Sequence, residues 1–114
     1  HVYADSVTVA VAGAVEPGGL VDLLADPPAT AYRIKGTVCV APDGRPRRYV
    51  VHVVGRSAHL APAPAPTQPA ATLVAIGLHL DTAEVRRRLQ QALTPTTHAG
   101  PDGLRALRRW STRQ

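Results

Sequence analysis

Residues 6–15, SVTVAVAGAV, alternate in bulk: Val7, Val9, Val11 and Val15 fall on one side, Thr8, Ala10, Ala12 and Ala14 on the other. A repeat of two is a strand's repeat, so this stretch predicts a strand with one bulky and one small face. The pattern then changes. In EPGGLVDLLADPP (16–28), Pro17 suits a first helical turn and Leu20, Val21, Leu23 and Leu24 make one apolar stripe, which predicts a helix. Two glycines weaken it, and Pro27-Pro28 ends it.

A second strand is predicted over YRIKGTVCV (32–40) and a third over RRYVVHVVG (47–55), joined at DGRP (43–46) as a hairpin. RSAHLAP (56–62) suits a short fourth strand. APAPAPTQP (61–69) lacks the amide hydrogens a sheet interior needs and reads as an extended surface loop. ATLVAIGLHL (71–80) returns as a strand, with Val74, Ile76, Leu78 and Leu80 facing one way. DTAEVRRRLQQAL (81–93) is the clearest helix: Asp81 and Glu84 have capping-box spacing, and Val85, Leu89 and Leu93 recur every four residues. A short last helix from Asp102 to about Trp110 offers Leu104, Leu107 and Trp110 to the fold, and no internal repeat is evident.

Strand alternation sorts side chains onto two faces. Tyr32, Ile34, Val38 and Val40 belong with the aliphatic face that helices cover, together with Gly36, where a missing side chain admits a helix or another chain segment. Arg33, Lys35, Thr37 and Cys39 fall on the other face, which Ala10, Ala12, His52, Ala75 and His79 are expected to share. Lys35 is the only lysine in the chain, so two cations stand side by side on an uncovered strand face.

At 114 residues with 45% hydrophobic and 18% charged content, the chain suits one globular domain with a modest aliphatic core. No apolar run reaches the roughly 20 residues that span a bilayer. One cysteine excludes an internal disulfide and suits a reducing compartment, so a cytoplasmic location is expected. A formal charge of +5 raises the question of nucleic acid, through RPRR (45–48), RRR (86–88) and RALRR (105–109). No RNA-binding aromatic pair, zinc knuckle or helix-turn-helix spacing accompanies those arginines, and solvated clusters are the simpler account.

Chemistry is sparse. Lys35 follows Ile34 rather than a glycine loop, so there is no phosphate-binding P-loop. Catalysis by Cys39 would need a base and a thiolate-favouring setting, and a lone cysteine in an aliphatic strand is more simply a packing residue. His1, His52, His59, His79 and His98 lack the close spacings of zinc sites, which leaves Cys39, His52 and His79 as the only composite metal candidates. No catalytic or cofactor-binding residue is expected.

Three stretches together resemble the C-terminal domain of the CobW-like GTPases, metal chaperones and metallocentre-assembly factors that include the cobalamin-biosynthesis and nitrile hydratase activator types. YRIKG (32–36) resembles the family's R-x-K-G strand, LVAIGLHLDTAEVRRRL (73–89) its closing strand and helix, and VEPGGLVDLLAD (15–26) its first helix. The family's tryptophan in that first helix and the aromatic near the Pro-rich loop are absent here. The resemblance implies residues 1–5 as the end of an interdomain linker, with His1 a remnant of its histidine-rich stretch, 6–93 as the domain, and 94–114 as a tail. It implies an α+β fold of two layers, a four- or five-stranded mixed or antiparallel sheet with two or three helices on one face. It also implies that nucleotide chemistry lies in an N-terminal GTPase domain, with GTP, Mg and Zn or Co as cofactors of the whole protein and none in this chain. The expected role is accessory, with Arg33, Lys35 and His52 contacting that domain, a client metalloprotein or another protomer. The alternative is a free-standing basic domain that binds nucleic acid.

Overall fold

The computed structural model describes residues 4–96 and 101–112. His1 and His98 lie outside the described residues, as does most of the expected linker. Five strands form one antiparallel sheet: β1 (Asp5–Ala12), β2 (Arg33–Val40), β3 (Arg47–Val54), β4 (Ser57–Ala63) and β5 (Ala70–Gly77), in the spatial order β1-β5-β2-β3-β4. Three helices, α1 (Pro17–Ala25), α2 (Thr82–Ala92) and α3 (Pro101–Thr112), complete a two-layer α+β fold.

The helices all rest on one face. Val7 and Val9 of β1, Leu73 and Ala75 of β5, Ile34 and Val38 of β2, Val51 and Val53 of β3 and Leu60 of β4 are buried beneath Leu20, Leu23, Leu24, Val85, Leu89 and Leu107. Fully burying one such aliphatic side chain contributes about 1.5–3 kcal/mol, so this single layer of contacts dominates stability. Two helix starts are capped by side chains: Glu16 accepts from the Gly18 amide at 3.3 Å, and Asp81, as its capping-box spacing suggests, accepts from the Glu84 amide at 3.2 Å. Gly19 of α1 has a packing reason. A β-carbon on Gly19 would lie 2.5 Å from the Gln91 carbonyl oxygen, so glycine lets α1 and α2 approach.

Three expectations need correction. The last strand ends at Gly77, and its phase is opposite to the expected one: Ala71, Leu73, Ala75 and Gly77 point under the helices, while Val74 and Ile76 are on the open face. Small residues keep this central strand low enough for the helix layer to sit on it. Leu78 and His79 fall in the turn beyond it, and Leu78 is exposed. Tyr32 precedes β2 and is 57% exposed, because its backbone bonds at 2.9 Å to Ile76 and Gly55 hold it at the sheet's end, with Arg33 lying 5.8 Å from its ring centroid. Finally, where the expected fourth strand and the expected loop overlap, Ala61 and Pro62 belong to β4, which also takes Ala63 from the loop; β4 is an edge strand, where a proline costs no ladder bond.

The C-terminal helix packs rather than frays. Leu107 is buried, Leu104 and Trp110 are half-buried against the core, and the Trp110 indole N–H donates to the Ala58 carbonyl oxygen at 3.3 Å.

Candidate functional site

The uncovered face of the sheet carries the residues singled out above. Strand pairing turns the alternation into rows that cross the sheet. Lys35 stands opposite Val74 on one side and His52 on the other, and His52 stands opposite His59, so Thr8, Val74, Lys35, His52 and His59 make one row. One step along the same face, Arg33 stands opposite Ile76 and Val54; at the far end, Arg48 stands opposite Cys39. Lys35, His52 and Val74 border a shallow concavity of about 440 Å³ whose wall includes Val50 and Thr37.

Charge on this face has one sign. The chain's eight carboxylates all occupy other positions: Asp5 alternates with Val7 on the helix side, and the rest lie in or next to the helices or in the turn after β2. Arg33, Lys35 and Arg48 make no ion pair among the described residues. The Nε atoms of Arg33 and Arg48 are moreover buried without a hydrogen-bond partner among the described residues. A buried donor left unpaired costs free energy, more so on a charged group. Sequence reading missed Arg48 and His59. The signal was present: Arg48 shares the alternation of His52, and the two-residue turn after Val54 sets His59 against it.

Cys39 has the phase of the open face but is wholly buried. Beyond Thr37, β2 parts from β5 and the chain at Val15 takes over, its amide donating to the Cys39 carbonyl at 2.9 Å. Burial pushes the Cys39 thiol above its ordinary value, only partly opposed by a backbone hydrogen bond from Arg47 and by the nearby Arg48 charge. It is therefore no poised nucleophile. The composite metal set is not assembled: Cys39 lies four residues of β3 away from the His52 row, and His79 is in the turn past β5. Among the described residues there is no group of three or more His, Cys, Asp or Glu side chains that could hold an ion. The chain likewise has no phosphate-binding loop for GTP.

The arginine clusters are partly engaged locally. Arg87 pairs with Glu84 at 2.6 Å, Arg88 donates to the Asp26 carbonyl at 2.6 Å, and Arg105 pairs with Asp102. They are spread over the β2–β3 connection, α2 and α3 instead of forming one groove. No helix among the described residues is long and apolar enough to cross a membrane.

The domain thus has two layers, with helices on one sheet face and an uncovered, cationic other face. Residues 4–93 match the family model described as "Cobalamin synthesis protein cobW C-terminal domain", and the chain belongs to that family. Two solved structures share the fold. A Zn(II)-bound triple mutant of the YjiA GTPase superposes with a TM-score of 0.62 at 24% identity, over 80% of this chain and 30% of that one. Zn(II)-bound YjiA GTPase from E. coli gives a TM-score of 0.56 at 24% identity, over 75% and 28%. The chain thus spans less than a third of either structure. No curated protein sequence matches.

Proposed function

We propose that this domain is the accessory module of a cytoplasmic GTP-dependent metal chaperone or metallocentre-assembly protein, and that it docks through its open sheet face onto an acidic surface of the GTPase domain in the same protein. One observation carries the reading: the open face has Arg33, Lys35 and Arg48 with no carboxylate on that face to neutralise them. GTP, Mg and the transported Zn or Co then belong to the rest of the protein, and so does recognition of any client. Family membership and the small share of the YjiA structures that this chain spans support the accessory role.

The test is a binding titration between this chain and the separately expressed GTPase domain. Arg33→Gln with Lys35→Gln is expected to weaken association about tenfold at low salt, close to 1.4 kcal/mol, with the loss shrinking as salt rises. Equal affinity of wild type and double variant at low salt would refute docking through this face.

A further inference from the structure

The row that crosses the open face ends in two histidines, and their juxtaposition is fixed by the hairpin that carries them. β3 and β4 are joined by only Gly55 and Arg56, with Val54 opposite Ser57. Gly55 has φ of +60°, the conformation that a tight two-residue hairpin turn demands and that glycine adopts without strain. So short a turn allows no slippage, and His52 is held opposite His59. Counting from the turn, this is a hydrogen-bonded pair, with Cα atoms about 5.5 Å apart and both side chains on the same face. Both residues are exposed. Their diagonal neighbours on that face, Val50, Val54, Ser57 and Ala61, are small or aliphatic.

We infer that His52 and His59 form a two-imidazole chelate for a late first-row divalent ion. Two ring nitrogens can each approach an ion at the 2.0–2.1 Å of a metal–imidazole bond from positions this close, the remaining coordination places being left to water. Neutral imidazole selects Ni(II), Cu(II) and Zn(II) over Mg(II) and Ca(II), which prefer oxygen. Lys35, on the other side of His52, is the charge that opposes the ion. Its flexible stem lets the ammonium swing away, so it weakens the site without blocking it. The site is independent of whether the face docks a GTPase domain.

Thermal unfolding of the 114-residue chain with Ni(II) tests the inference, because an ion bridging β3 and β4 stabilises the folded state whereas one bound to a chain end does not. Millimolar Ni(II) is expected to raise Tm by several degrees, and Mg(II) to leave it unchanged. His52→Ala and His59→Ala should each abolish the Ni(II) shift, the double variant should do no more, and Lys35→Gln should enlarge it. His79→Ala should retain it. Both histidines are exposed, so the variants should melt near the wild type without metal; were one to unfold, Cu(II) broadening of the His52 and His59 ring protons in the wild type gives a second readout. Absence of a wild-type shift, or a full shift in His59→Ala, would overturn the chelate.

Discussion

Gly36 lies so close to its neighbour strand that a β-carbon there would overlap the Thr72 carbonyl oxygen and come within 3.0 Å of the Leu73 Cα. The segment that the missing side chain admits is thus β5 itself, not a helix. Gly36 directly follows Lys35, so the glycine that draws β2 against β5 also brings Lys35 and Val74 together.

Gly36→Ala should therefore destabilise the domain by about 3 kcal/mol or more, since only backbone can yield. Thr37→Ala, one residue on and half-exposed, should cost less than about 1 kcal/mol. Denaturant melts of the two variants measure the difference. Similar midpoints would mean that the strands have room to part.

The helix layer gives a second expectation. Val85 and Leu89, on the inner side of α2, are both fully buried. Replacing either with Asp puts an unpaired charge where an aliphatic packs, which should cost about 3–5 kcal/mol and leave little folded protein at 37 °C. Unchanged thermal stability would contradict the packing of α2 on the sheet.

Much of this was legible along the chain, for a physical reason in each case. Alternation is unambiguous where polar and apolar residues take turns, and it placed Arg33, Lys35 and His52 on one face correctly. It fails in Leu73–Val74–Ala75–Ile76, where every position is apolar and size is the only cue. Bulk suggested Val74 and Ile76 for the interior, but a central strand under helices needs a low profile, which Ala75 and Gly77 supply. Burial of Cys39 was hidden too, because it depends on Val15 crossing beside β2, a contact between distant residues that no local pattern encodes.

The Cys39 environment predicts an alkaline weakness. Its folded-state value is raised by burial, so its contribution to stability is complete below the unfolded thiol's value of about 8.5 and is lost as pH climbs through the raised folded value. In that window the unfolded chain releases the proton first, which lowers stability by up to about 1.4 kcal/mol per pH unit. Urea melts between pH 7 and 10 should show a shallower alkaline decline for Cys39→Ala than for the wild type. Parallel curves would show that the thiol ionises as freely in the fold as outside it.

The sharpest test of the two faces uses neighbours in β3. Val50 is 43% exposed on the open face, whereas Val51 is 0% exposed beneath the helices. Placing Asp at Val51 should cost about 3–5 kcal/mol, because the charge is buried without a partner. Placing Asp at Val50 should cost the isolated domain about 1 kcal/mol or less, since the carboxylate remains in water and only β-propensity is lost. Docking reverses the ranking of interest. A carboxylate at position 50 sits opposite Thr37, within the face of Arg33, Lys35 and Arg48, and would confront the partner's acidic groups across the interface. Val50→Asp should thus fold nearly as well as the wild type yet bind the GTPase domain at least about tenfold more weakly at low salt. Calorimetric binding together with a thermal melt of the same sample separates the two effects. A Val50→Asp domain that is stable and binds with wild-type affinity would show that the open face is not the contact surface, whatever the fate of Val51→Asp.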